Sequence, residues 1–368
     1  MQQIKTPLFK VFMPRSVIGA LEQTLFSGYI AEGEKVALFK KLVSDYLGNS
    51  RVVLVNSCTT AITMAYHLAG VGSGDEVIST PLTCVASNQP ILYFGAKPVW
   101  VDVDPDTGMV DPADIEHLIT KRTKAILVLH KEGDPARLDE ILAIAKKHKI
   151  KVIEDAAHAF GSKYKNVKIG NHGDFVCFSL QAIKHITTGD GGILACKSKD
   201  DCLRARKLKW FGVDRENRGA KNPWLEDIPE WGYKANMNDI AATIGIEQIK
   251  YIDEIIEKFN KNGLLYSKLL KGVAGIKLIK RNPEDFSTFW AYCLLAENRE
   301  GLIRKLGENG IGAMQIHPRN DVYSIFMESR RELPHLDYFS ERELSIPCGW
   351  WVNEEELLRI CNIIRNGW

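Results

Sequence analysis

Seven times between residues 51 and 197 the chain repeats one kind of segment, a short apolar run rich in β-branched residues and bounded by turn residues. The runs are Arg51–Asn56, Glu76–Thr80, Pro98–Asp104, Lys124–His130, Lys151–Asp155, Asp174–Leu180 and Gly192–Lys197. Their length, composition and boundaries predict strands. Helical patterns lie between several of them, such as Thr60–Ala69 and Leu138–Lys147. A chain that alternates strand with helix in this way assembles most naturally as a mostly parallel, doubly wound α/β sheet. Ligands of such sheets bind beyond the carboxyl ends of the strands, so chemistry is to be sought where the runs close.

After the turn Gly189–Gly192 the pattern changes to long amphipathic stretches, notably Met237–Lys271, preceded by a polar, aromatic-containing connection over Asp214–Trp231. From about residue 262 the chain reads as mixed α and β and closes on a helical pattern, Glu354–Ile364. At 368 residues it exceeds the size at which a single core usually stops growing. Two domains are expected: residues 1–261, large and including the N-terminal segment, and residues 262–368, smaller and α+β. A formal charge of +2 gives no reason to expect nucleic acid or a membrane surface as the main partner. Neither a leader pattern nor a membrane-length apolar run is present, so the cytoplasm is the expected location. Eight dispersed cysteines form no CxxC pair, which points to buried free thiols rather than a metal site.

Several runs end on reactive residues. Lys184 follows the run Asp174–Leu180, five residues after Ser179. Asp155 closes another run and is followed by Ala156 and Ala157, which leave room beside the carboxylate for something bulky. A pyridinium nitrogen suits that place, because a carboxylate keeps such a ring protonated and makes it an electron sink. His158, three residues on, is placed to reach a ring oxygen or to stack on the ring. At Asn56–Ala61 a strand enters a helix through small hydroxylated residues, and the free amides of a helix start bind phosphate well. Thr59, Thr60 and Ser179 would add hydroxyls. Singly, each has an ordinary explanation: a surface lysine, a capping aspartate, a core histidine, a plain helix cap. Together, a phosphate cradle, a carboxylate and a lysine at successive strand ends describe one ligand.

These residues resemble the DegT-type (DegT/DnrJ/StrS) sugar aminotransferases, fold-type-I pyridoxal phosphate enzymes that usually aminate nucleotide-linked keto sugars. The resemblance runs through Ser27–Gly33, Asn56–Ala61, Ile153–Gly161, Gly173–Ser179, Lys184, Gly189–Gly192 and Gly232–Asp239. It implies a large domain built on a mostly parallel seven-stranded sheet flanked by helices, with a smaller C-terminal α+β domain. It also implies that Lys184 holds pyridoxal 5'-phosphate as a Schiff base, with the pyridoxamine form as intermediate. Asp155 would pair with the ring nitrogen, His158 with the ring oxygen, and Thr59, Thr60 and Ser179 with the phosphate. Glutamate is the implied amino donor in a ping-pong reaction serving amino-sugar glycan or natural-product biosynthesis, O-antigen among them. A homodimer with shared active sites is implied as well. The chain departs from the family in two places: Cys84 stands where many relatives carry an aromatic residue over the ring, and Lys234 where many carry an asparagine reaching the neighbouring chain's phosphate. An ammonium is a strong phosphate partner. His317, Arg319 and Asn320 lie near the place of a sugar-side histidine and are the candidate substrate contacts.

Three other readings compete. A sugar dehydratase on the same fold replaces the Schiff-base lysine with histidine, and His185 stands beside Lys184. An aminotransferase acting on a cyclic ketone without a nucleotide is compatible with the same residues. A non-catalytic binding protein would have no use for an intact lysine, aspartate and phosphate set.

Overall fold

The computed structural model describes residues 4–215, 222 and 227–368. All seven predicted runs join one sheet as β1 (Val52–Val55), β2 (Glu76–Ser79), β3 (Lys97–Trp100), β4 (Thr123–Leu129), β5 (Lys151–Asp155), β8 (Phe175–Ser179) and β9 (Gly192–Cys196). A small hairpin, β6 (Lys163–Tyr164) and β7 (Val167–Lys168), lies between β5 and β8. The order across the sheet is β1-β9-β8-β5-β4-β2-β3, and only β9 runs against the others. The run Pro98–Asp104 pairs in this sheet only as far as Trp100, because Val103 turns aside to bridge Val110.

Alternate strand residues enter two separate cores. Val52, Leu54, Val152, Val176, Phe178 and Ile193 face one layer, made by α2 (Glu34–Leu47), α6 (Leu138–His148) and α8 (Asp239–Ile249). Val53, Val55, Ile153, Phe175, Cys177 and Leu194 face the other, made by α3 (Cys58–Leu68) and α7 (Lys199–Leu208). Each large aliphatic side chain buried this way contributes about 1.5–3 kcal/mol. The period of two along a strand explains why one run serves both layers.

The remaining helices frame this sandwich. α1 (Val17–Leu25) packs on α8, α4 (Val85–Tyr93) on α3, and α5 (Pro112–Leu118) on α6. The amphipathic stretch Met237–Lys271 is not one helix. It breaks at Lys250 and Tyr251 into α8 and α9 (Ile252–Leu269), with Tyr251 out of helical geometry at φ −110° and ψ 4°. The two pieces serve different layers: α8 lies on α1 and α2, whereas α9 places Ile252 and Ile256 in the first core and Tyr266 in another. Asp239 locks the start of α8, since its carboxylate accepts the amides of Gly33 at 2.8 Å and Val36 at 3.0 Å at the entry of α2.

That further core belongs to an antiparallel sheet of order β10-β11-β12, formed by β10 (Ile276–Leu278), β11 (Tyr292–Ala296) and β12 (Glu343–Ile346). α10 (Arg299–Glu308) and α12 (Glu354–Arg365) cover it, and α11 (Pro334–Arg342) leads into β12. Of the connection Asp214–Trp231, residues 216–221 and 223–226 lie outside the described residues. Its end is held by Glu230, which accepts from Arg204, and by Trp231, whose ring sits 4.4 Å from that of His67. Among the described residues no helix is long and apolar enough to cross a membrane.

Candidate active site

The chemistry-bearing residues converge on one edge of the seven-stranded sheet. Asp155 ends β5 and Ser179 ends β8, on neighbouring parallel strands. Because β9 runs the other way, its first residue, Gly192, lies at the same edge, paired with Ser179 on one side and Val55 on the other. The turn after β8 carries Lys184, and the junction after β1 opens α3.

Lys184 as a residue is half-buried, but its amine sits deep, 3.7 Å from the ring centroid of Trp290. Burial pushes its pKa down to about 8, against the opposing pull of Asp155, Cys58, Cys84 and Glu132. The neighbouring His185 is engaged elsewhere: its Nε2 lies 3.2 Å from the Thr288 carbonyl and its ring packs on Phe259. Lysine and histidine are thus not interchangeable at this turn.

Asp155 is almost fully buried and caps no helix. One carboxylate oxygen accepts the Ala157 amide at 3.0 Å, and the other accepts the Ser87 hydroxyl at 2.6 Å. Ser87 belongs to α4 and was not apparent from sequence, being 68 residues away along the chain. His158 stacks on Trp290 at 3.8 Å and lies parallel to His317 at 5.5 Å. Burial, reinforced by nearby Lys184, holds His158 well below the usual imidazole range, so the ring is neutral. Its Nδ1 is buried without a hydrogen-bond partner among the described residues. An orphaned buried nitrogen beside a carboxylate and a lysine is what a ring-bearing ligand with a polar substituent would satisfy.

The start of α3 forms the second half of the site. Ser57 caps it by accepting the Thr60 amide at 3.1 Å, and its hydroxyl lies 2.9 Å from that of Thr60. Thr59 stands one position earlier, in a first turn whose amides have no intrahelical partners. Gly192 seats this helix start against the sheet, since a Cβ there would lie 2.4 Å from the Ser57 carbonyl carbon and 2.6 Å from the Cys58 nitrogen. Ser179, paired with Gly192, places its hydroxyl-bearing residue beside this junction. The donor set, the glycine-closed approach and the orphaned His158 nitrogen fit pyridoxal phosphate. Thr59, Thr60 and Ser179 would hold its phosphate, Asp155 its ring nitrogen and Lys184 its aldehyde carbon.

The remaining candidates divide. Cys84 is the exposed thiol just before α4, and its field reaches Lys184 and Cys58; the other seven cysteines are buried. His317 faces the site, with burial pushing its pKa down to about 3 and its Nε2 lacking a partner among the described residues. Arg319 is committed to Asp321 at 2.6 Å and to Asp337, which leaves little of its guanidinium for a ligand. Asn320 is buried and acts as a clamp, accepting from Asn88 and donating to the Thr83 carbonyl, each at 2.8 Å. Lys234 is exposed and donates to Asn236 at 2.6 Å, two residues before the chain bridges back to Val55.

Behind the site, Lys131 is buried between Glu132 at 3.2 Å and Glu343 of β12. Although burial opposes its charge, the two carboxylates hold its pKa above the usual lysine range, while burial raises that of Glu132. Glu132 adopts φ +54°, a left-handed conformation that a non-glycine residue keeps only when its surroundings enforce it.

Comparison with known proteins follows the same lines. Residues 14–365 match the profile of the DegT/DnrJ/EryC1/StrS aminotransferase family. The chain is 37% identical over 374 residues to the UDP-4-amino-4-deoxy-L-arabinose--oxoglutarate aminotransferase of Shewanella sediminis, covering 96% of each chain. It superposes with a TM-score of 0.94 and 34% identity on the sugar aminotransferase CalS13 from Micromonospora echinospora, over 98% of this chain and 100% of the other. Spr1654 of Streptococcus pneumoniae, a candidate sugar aminotransferase in its PLP form, superposes at 0.90 with 26% identity, over 98% and 97% of the two chains.

A lysine with a pKa of about 8 is roughly one-tenth neutral at pH 7, against fewer than about one in a thousand for an ordinary lysine. In the cofactor-free protein, acylation of Lys184 followed by peptide mass spectrometry should therefore titrate near pH 8. A midpoint at the ordinary lysine value would show that the amine is solvated.

Proposed function

The chain belongs to the DegT/DnrJ/EryC1/StrS aminotransferase family, and from that premise we propose that it uses pyridoxal phosphate to move an amino group from glutamate to a nucleotide-linked keto sugar. The observation that carries this reading is the convergence of Lys184, Asp155, an unpartnered His158 nitrogen and the glycine-closed start of α3 at one sheet edge. Pyridoxal phosphate supplies an electron sink for the carbanion left when a proton departs from the carbon bearing the amino group.

The chain supplies the rest. The α3 amides and the hydroxyls of Thr59, Thr60 and Ser179 bind the phosphate, where the positive end of the helix favours an anion. Asp155, held by Ser87 and the Ala157 amide, would partner the ring nitrogen. His158 Nδ1 would meet the ring oxygen, and the Cys84 thiol would lie over the ring. Lys184, with its lowered pKa, is poised to give up and take back a proton near neutral pH, which is the requirement for an acid–base group working on the substrate carbon. His317 is the substrate-side contact, its neutral Nε2 available to a sugar hydroxyl. A relative named for UDP-4-amino-4-deoxy-L-arabinose and oxoglutarate supports both the nucleotide sugar and the glutamate–oxoglutarate couple. The separate engagement of His185 argues against a dehydratase that uses histidine at the lysine position.

A second copy of this chain is the proposed partner. The N-terminal segment exposes Ile18, Leu25, Phe26 and Tyr29, with Phe26 85% and Tyr29 82% exposed, and such a patch is what a subunit contact would cover. Sedimentation should give twice the chain mass; a monomer at micromolar concentration would remove the partner.

Protein loaded with pyridoxal phosphate should lose its visible absorbance on addition of glutamate and release oxoglutarate. Lys184→Ala should slow that half-reaction by about 10²–10⁴-fold. An unchanged spectrum in the native protein would exclude glutamate as donor. Turnover of a nucleotide-free cyclic ketone in preference to every nucleotide keto sugar in a panel would exclude the substrate.

A further inference from the structure

Trp290 lies two residues before the first residue of β11 and is 1% exposed. Its contacts reach separate parts of the site. The indole Nε1 donates to the Ile183 carbonyl at 2.8 Å, in the turn that carries Lys184. The backbone amide donates to the Glu132 carbonyl at 2.8 Å, beyond β4. The ring stacks on His158 at 3.8 Å with 12° between planes, and on Phe9 at 4.5 Å with 24°. The preceding residues are fastened as well: Thr288 donates its hydroxyl to the His158 carbonyl at 3.1 Å, and its own carbonyl meets His185. A ring tied down at so many points has little freedom to turn away, and Lys184 Nζ rests 3.7 Å from its centroid.

An ammonium over an indole face is stabilised by the ring quadrupole, and the contact strengthens as water is excluded. We propose that Trp290 is a positioning residue for Lys184: its indole face holds the ammonium at the sheet edge whenever that amine is not bonded to the cofactor, and its Nε1 anchors the turn from which the lysine extends. This deepens the reading of Lys184 as the cofactor lysine and rests on it. During each turnover a displaced lysine has to stay within reach of the reacting carbon, and a flexible four-carbon stem does not do so unaided. Other charged and titratable groups also face the amine. Asp155 from β5 and Glu132 beyond β4 favour its charged form, whereas burial disfavours it; the thiols of Cys58 and Cys84 also lie near the amine. The imidazoles of His158, His185 and His317 also lie within its field.

The test is the acylation profile of Lys184 in cofactor-free wild type, Trp290→Phe and Trp290→Leu. Phenylalanine keeps a π face, whereas leucine keeps apolar bulk without one. The Trp290→Leu midpoint should fall about half to one and a half pH units below wild type, with Trp290→Phe between them. Coincident profiles, or a midpoint higher in the leucine variant than in the phenylalanine one, overturn the proposal. Should Trp290→Leu fail to fold, global replacement of tryptophan by fluorinated tryptophans weakens the π face while nearly preserving shape. The Lys184 midpoint should then fall with each added fluorine, and a flat series overturns the proposal. Failure of the native holoenzyme to respond to glutamate would count against the functional reading alone, because the titration uses no cofactor and no substrate.

Discussion

Neighbouring parallel strands finish on the same edge of their sheet, and the site exists because the chain obeys that constraint with β1, β4, β5 and β8. Each strand delivers one part: the α3 start after β1, Glu132 after β4, Asp155 at the end of β5, Lys184 after β8. The single antiparallel strand, β9, completes the edge rather than interrupting it. Its first residue is a glycine, and only the absence of a side chain lets the Ser57–Cys58 peptide approach so closely. The α3 start proposed to bind phosphate and the lysine turn are thereby neighbours, although about 125 residues separate them in sequence.

The second sheet is more than a covering for the first. Trp290 at the entry of β11 and Glu343 at the start of β12 both reach back to the segment following β4. Lys131 is buried between Glu132 and Glu343, and removing the lysine would cost about 3–5 kcal/mol because two buried carboxylates would be left without compensation. The left-handed Glu132 sits in this knot and presents its carbonyl to Trp290. Local strain, a buried ion cluster and the aromatic wall of the lysine pocket are therefore parts of one structural unit.

The strands and several reactive residues were legible in the sequence because both are local signals. Short β-branched runs with turn boundaries read as strands wherever they lie, and Lys184, Asp155 and Ser179 stand at or just beyond their ends. Trp290, Ser87 and Gly192 were not legible as site residues. Each acts through partners 68 residues or more away, apart from the sheet pairing of Gly192 with Ser179, and nothing in its own neighbourhood announces that. The break between α8 and α9 was hidden for a related reason, since Lys250 and Tyr251 carry no glycine or proline and the turn is imposed by packing on two different cores. Arg319 and Asn320 show the converse. Their residue types suit ligand binding, but Asp321 and Asp337 occupy the arginine while Asn88 and Thr83 occupy the asparagine.

One amine, that of Lys184, is proposed to hold the cofactor at this edge. Borohydride reduction of the pyridoxal phosphate-loaded protein fixes the cofactor to whichever lysine carries it, and peptide mass spectrometry then locates the label. One pyridoxyl group per chain is expected, on Lys184. A label confined to another lysine, or no label at a stoichiometry approaching one, would contradict it.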